Sequence, residues 1–266
     1  MKILHRMSLM AATVAILATS IPVLASANET DDRIEDSAKK SYVFQKYLKD
    51  EAITIKSNEG VVTLTGTVVQ EHRKALAQET VASLPGVKSV DNRLELKGDK
   101  ATENSDAWVT TNVQAALLFY RNLSETTADV QVTDGVVTLR GEAANKAQKD
   151  LTTEYVKDVA GVKSVNNEMT VAAVPPKADD KKISESIDDA SITALVKMTL
   201  MYHRSTSALH TKVSTSQEVV TVSGKAKNAA EKDLVTKYAL DAYGVKRVVN
   251  NMTIAEPKSK KKVEGC

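Results

Sequence analysis

Few side chains in this sequence could carry chemistry. Beyond the N-terminal segment stand three histidines, His72, His203 and His210, and one cysteine, Cys266, at the last position. An imidazole can ligate a metal or move a proton, and a thiolate can attack carbon, but each needs a partner at short, rigid spacing. There is no His-x-x-x-His and no Cys-x-x-Cys. The single cysteine excludes an intrachain disulfide. Gly60-Val-Val-Thr-Leu-Thr-Gly66 runs through a strand pattern, and no Lys-Ser or Lys-Thr follows it as a phosphate loop requires. The sequence therefore predicts no catalytic residue, no metal site and no cofactor. What it offers is surface.

Charge is the first kind of surface. Residues 189–254 hold 9 basic against 5 acidic residues, a net +4, whereas 106–171 hold 6 against 9 and 38–96 hold 9 against 7. The basic candidates are Lys225, Lys227, Lys232 and Lys237, assigned to one helix, with Lys246 and Arg247. A tail over 255–266 adds Lys258, Lys260, Lys261 and Lys262. Anionic headgroups attract such residues by about 1 kcal/mol each, although Glu231, Asp233 and Asp241 dilute the field. Apolar excess is the second kind. Trp108, Leu118, Phe119, Met201 and Tyr202 lie beside the core stripes of two helices that are apolar nearly all round. Such faces either pack repeat on repeat or hold an unfolded client. The net charge of +2 owes to Lys2 and Arg6 in the leader, which disfavours a nucleic-acid binder.

An internal repeat positions all of these. Gly135-Val-Val-Thr-Leu-Arg-Gly141 is answered by Gly161-Val-Lys-Ser-Val165. Gly60-Val-Val-Thr-Leu-Thr-Gly66 is answered by Gly86-Val-Lys-Ser-Val90, and Glu218-Val-Val-Thr-Val-Ser-Gly224 by Gly244-Val-Lys-Arg-Val248. The interval between the two inner glycines is 20 in every copy. Val109, Val113, Ala116, Leu117 and Tyr120 follow a helical period, matched by Ile192, Val196, Leu200 and His203. Val130 and Val132, the turn Thr133-Asp134-Gly135, then Val137 and Leu139 predict a hairpin. A second helix carries Leu151, Val156 and Val159, and Gly161 ends it. A last strand alternates Val165, Asn167, Met169 and Val171.

The expected fold is α+β: three tandem α-β-β-α-β repeats, each a three-stranded sheet with two helices packed on one face. The repeats span 38–96, 106–171 and 189–254. A helical crossover makes the second and third strands parallel. The opening helix of the first copy is placed around Val43–Leu48, which leaves eight fewer residues before its hairpin than in the other copies. The acidic residues 28–37 are expected to form a flexible lead-in. Asn92, Asn167 and Asn250 recur on the apolar side of the last strand, where a side-chain amide would satisfy backbone at a bulge. His203 takes the place of Tyr120 at the core edge.

Lys2 and Arg6, the apolar run Met7–Ile21 and Ala25-Ser-Ala27 read as a secretory signal peptide cleaved after Ala27. The run is too short to span a bilayer, for which about 20 residues are needed.

The strand Gly-Val-Val-x-Leu-x-Gly, the alanine-rich second helix and Gly-Val-Lys-x-Val with a nearby Asn resemble the BON domain (bacterial OsmY and nodulation). Three such copies behind a signal peptide resemble the osmotically inducible periplasmic OsmY group, most of whose members carry two. The resemblance implies a non-enzymatic periplasmic protein of the envelope. It implies contact with anionic phospholipid surfaces, or chaperoning of outer-membrane clients. A scaffold module in a secretion or cell-wall assembly is a third expectation.

Overall fold

The computed structural model describes residues 23–120, 128–172, 187–206 and 211–255. The first unit contains helices α1 (Val23–Lys40) and α2 (Tyr42–Lys46), strands β1 (Ala52–Asn58) and β2 (Val61–Val68), helix α3 (Glu71–Ala82) and strand β3 (Ser89–Leu96). The second has α4 (Asp106–Leu118), β4 (Asp129–Thr133), β5 (Val136–Arg140), β6 (Glu142–Ala143), α5 (Lys146–Lys157), β7 (Ser164–Asn167) and β8 (Thr170–Val171). The third has α6 (Asp189–Tyr202), β9 (Thr211–Ser216), β10 (Val219–Ala226), α7 (Ala229–Asp241), β11 (Arg247–Asn250) and β12 (Thr253–Ile254). In every unit the middle strand pairs antiparallel with the first and parallel with the last.

Alternation sets which way each strand faces. Val137 and Leu139 are fully buried under the helices, and Val136 and Arg140 are exposed on the opposite face. The hairpin turns at Asp134 and Gly135, both with positive φ (51° and 78°). Two consecutive positive φ values match the twist of the flanking strands. Gly161 ends α5 at φ 85°, and a Cβ there would come within 2.7 Å of Val109 Cγ2 and 3.0 Å of the Trp108 ring. Glycine is required both for the left-handed backbone and for the closeness of α4.

One carboxylate fixes each hairpin to the opening helix. Asp106 Oδ2 accepts from the Asp134 amide (2.8 Å) and Oδ1 from the Gly135 amide (2.9 Å). Asp189 does the same for Gln217 and Glu218, and Asp31 for Glu59 and Gly60. The separations are 28 and 29 residues in all three units. Asp31 lies in the segment expected to be a flexible lead-in, so that expectation is corrected. Residues 28–37 belong to α1, the opening helix of the first unit, with Ile34 and Ala38 buried against the sheet. The first unit therefore begins before Ala38, and its supposed deficit of eight residues disappears. Its helix breaks at Ser41, whose hydroxyl donates to Ala38 O (2.8 Å), and the short α2 follows. Asp106→Ala leaves two turn amides without their acceptor. It is expected to cost about 1–3 kcal/mol, measured as a lowered midpoint in denaturant unfolding of the full chain.

The recurring asparagines act as the alternation predicts. Asn167 Nδ2 donates to Lys149 O (2.9 Å) and Thr153 Oγ1 (2.7 Å), and its Oδ1 accepts from the Met169 amide (3.0 Å). Asn250 repeats all three bonds with Lys232, Thr236 and Met252, and Asn92 with Lys74, Gln78 and Leu94. The amides of Glu168 and Thr170 point to the middle strand, so the Met169 amide faces the open sheet edge. Asn167 occupies that edge amide and straps the strand to α5. This blunts the sheet edge as a template for a further strand. Asn167→Ala is expected to destabilise by about 1–3 kcal/mol, with faster hydrogen exchange at Met169.

Helices, not sheets, join the units. α3 lies against α6 and α4, and α4 lies against α6. One apolar core runs through all three units, while the sheets stay separate.

Candidate functional site

A gathering of aromatic and polar groups lies between the second and third units. Tyr155 and Asp158 of α5 and its C-cap have counterparts 83 residues on, Tyr238 and Asp241 of α7. The Tyr238 hydroxyl donates to Asp158 Oδ2 (2.9 Å), and the Tyr155 hydroxyl donates to Asp241. Tyr120 bridges to Ala242 through backbone, and Val159 bridges to His203. These pairs too are related by the 83-residue shift. The contact is therefore reciprocal, as in the isologous interface of a two-fold dimer.

His203 breaks that symmetry. Its Nε2 is hydrogen-bonded to the Tyr120 hydroxyl, its Nδ1 lies 3.4 Å from Asp158 Oδ2, and its ring stacks on Tyr238 (4.2 Å between centroids). Tyr120 stacks on Tyr155 (4.0 Å). Carboxylate, imidazole and hydroxyl in that order can activate a nucleophile. Here Tyr120 and His203 are only 1% and 2% exposed, so a substrate has no path to the hydroxyl. Burial, then the neighbouring tyrosines and aspartates, also pushes the Tyr120 phenol well above its ordinary range. Burial opposes the charge on Asp158, but the nearby His203 ring and hydrogen bonds from Ser205 and Tyr238 outweigh it and hold the carboxyl below its usual range. The cluster is a lock between two units. Among the described residues, no group of three or more His, Cys, Asp and Glu could hold a metal. His210, Cys266 and the lysines of the tail lie outside the described residues.

The apolar candidates do not form an open patch. Phe119 is fully buried beneath Tyr47, His72 and Tyr202, with ring centroids 6.2 to 6.4 Å apart. Leu118, Tyr202 and Trp108 are half-buried, and only Met201 is exposed. The Trp108 ring covers Gly161 of its own unit. Apart from exposed Met201 and Trp108, which packs within its own unit, the extra apolar faces of α4 and α6 are spent on packing against another unit.

The basic candidates fall on two sides. Lys225 lies in β10 and Lys227 follows it, so neither belongs to the second helix as expected. Lys232 and Lys237 do lie on α7. Lys232 donates to Met252 O (2.7 Å), and Lys237 sits 5.7 Å from the centre of the Tyr155 ring. Lys246 pairs with Glu218. Lys225 and Arg247 point the other way, onto the sheet face that no helix covers among the described residues. Val220, Val222 and Ala226 are buried under the helices, which leaves Val219, Thr221, Ser223 and Lys225 on the outer face. Arg247 is level with Val219 and Lys212 with Ser223.

Lys212 was missed in the sequence, although its parity opposite the buried Val213 gives it away. The outer face of the third sheet thus carries Lys212, Lys225 and Arg247, and β9 to β12 contain no acidic residue. The positions equivalent to Lys212 and Lys225 are Asp129 and Glu142 in the second unit, Thr54 and Thr67 in the first. Among the described residues no helix is long and apolar enough to cross a membrane.

A family model for the BON domain matches residues 30–98, 105–173 and 188–256. Osmotically-inducible protein Y of Escherichia coli is 30% identical over 154 residues, 54% of this chain and 77% of that protein. An uncharacterized protein in the gshII 5' region of Anaplasma centrale is 26% identical over 117 residues, 43% of this chain and 78% of its own. CdsD, a structural protein of the type III secretion system of Chlamydia trachomatis, aligns at 18% identity over 85% of this chain and 94% of that one, with a TM-score of 0.23.

Proposed function

Since the chain belongs to the BON-domain family along three segments, we propose that it is a non-enzymatic osmotic-stress protein of the periplasm that docks on anionic phospholipid. The uncovered face of its third sheet would make the contact. The observation that carries this reading is Lys212, Lys225 and Arg247 on one acid-free face. Lys225 and the level of Arg247 are six residues apart along β10, roughly 20 Å. Cations so far apart make a poor pocket for one small anion. A flat sheet presents them together to a planar headgroup layer, and Ser214, Thr221, Ser223 and Thr253 offer hydroxyls between them. The lysine-rich tail follows directly from β12 at the sheet edge and would add to the same attraction. An osmotic-stress role is supported by the name of the Escherichia coli relative.

The test is flotation of the full chain with vesicles of phosphatidylglycerol or of neutral phosphatidylcholine at low salt. Recovery with the anionic vesicles alone is expected. Equal recovery with both would remove the basis of the proposal. Holding unfolded clients on the helix faces draws no support from this arrangement, because those faces cover one another.

A further inference from the structure

We propose that the first unit is an acid-released cap: protonation of His72 frees α3 from α4 and α6 and uncovers the aromatic face around Phe119. This goes beyond phospholipid docking and does not depend on it.

His72 sits where the three units meet. It is 3% exposed on α3, edge-on to Phe119 of the second unit at 6.3 Å, and Phe119 stacks on Tyr202 of the third. His72 Nδ1 has no hydrogen-bond partner among the described residues. A buried imidazole without an acceptor tolerates the neutral form and resists the charged one.

Among the described residues no group around it offers a counter-charge. On its own helix, Arg73 repels a proton on His72, and Glu71 lies at the surface beside Lys100. Arg73 also occupies the buried carboxylate of Glu51 (2.8 Å). From the stretch after α2 comes Tyr47, its phenol pushed up to about 12 by burial and then by Tyr243. From α6 comes Tyr202, raised by burial and then by Glu71, while Lys197 is held by Glu79 (2.9 Å). From α4 comes Phe119, which has no charge. Burial, with Arg73 second, therefore drives the His72 pKa down to about 4. A released His72 returns to roughly 6.5.

Linkage then gives the direction. Above pH 6.5 both forms are neutral and docking is at full strength. As pH falls from 6.5 towards 4, the released form binds a proton that the docked form refuses. Docking weakens tenfold per pH unit, about 300-fold in all. The first unit can leave as a body. It keeps its own sheet and its own Asp31 clamp, and the polar stretch 97–105 tethers it. Its ties to the third unit include the Tyr42 amide on Asp188, the Val43 amide on Ser191, the Tyr42–Tyr243 stack and the Glu79–Lys197 pair.

The experiment places spin labels at Ser89→Cys and Ser214→Cys in a Cys266→Ser background and reads the distance distribution from pH 7.5 to pH 4. A longer-distance population is expected to grow tenfold per unit below pH 6.5, with far-ultraviolet circular dichroism unchanged. His72→Phe, which fills the same space without a basic nitrogen, should abolish the growth. Lys197→Glu sets a repulsion against Glu79 and brings the equilibrium into range if the parent stays closed. Distances independent of pH in both backgrounds, a pH response that survives His72→Phe, or loss of secondary structure over the same range would each overturn the proposal.

Discussion

Asp158→Ala should destabilise the chain by about 2–4 kcal/mol, and Asp241→Ala, at the equivalent position, by about 1 kcal/mol. Symmetry alone would predict equal costs. Asp158 takes the Tyr238 and Ser205 hydroxyls and faces His203 Nδ1 and the Arg204 guanidinium, whereas Asp241 takes the Tyr155 hydroxyl. Alanine at 158 strands the Tyr238 hydroxyl and leaves His203 Nδ1, already poorly satisfied, with no acceptor. Asp158 is half-buried, so water repays part of the loss and the figure stays below that for a sealed ion pair. Denaturant unfolding of the full chain measures both. Tyr238→Phe in the Asp158→Ala background should cost less than Tyr238→Phe alone, because the hydroxyl has already lost its acceptor. The acid limb adds a second readout. The folded-state pKa of Asp158 is depressed, so its contribution is present above its unfolded value and is lost as pH falls through the folded one. Asp158→Ala should therefore show a flatter loss of stability in acid. Equal costs at 158 and 241 would mean that His203 is a spectator.

The difference between the two aspartates shows how far the sequence could be read. The hairpin, the second helix and its closing glycine were legible because their signals are local: Val137 and Leu139 two apart, a turn between them, Gly161 at a fixed distance. Asn167 was legible for the same reason, since its parity put it against the helix. The opening helix of the first unit was not. Asp31, Asp32, Glu35 and Asp36 outweigh the two apolar contacts, Ile34 and Ala38, in any average over composition. Asp31 is itself the clearest mark of the helix, but its meaning appears only when the hairpin amides 28 and 29 residues away are in view. Phe119 and Tyr202 were visible as apolar excess, yet nothing local says whether a neighbouring unit or a client covers them. Charge per copy failed for a related reason. It adds Lys232 and Lys237 on the helix side to Lys225 and Arg247 on the sheet side, and only geometry separates the two.

That separation makes the second large effect specific. Replacing Lys212, Lys225 and Arg247 together with Gln should weaken binding to phosphatidylglycerol vesicles by about 3 kcal/mol, at about 1 kcal/mol per basic residue, or roughly 150-fold. Lys237→Gln, on the opposite side of the same unit, should leave binding within twofold. Net charge alone would give the control about a third of the effect in free energy, so the pair of variants separates a face from a field. Salt supplies a further check. Exposed charges are screened over about 8 Å at physiological ionic strength, so raising the salt should remove most of the parent's binding and much less of what the triple variant retains. If Lys237→Gln weakens binding as much as each sheet substitution does, orientation plays no part and the attraction is that of the whole C-terminal unit.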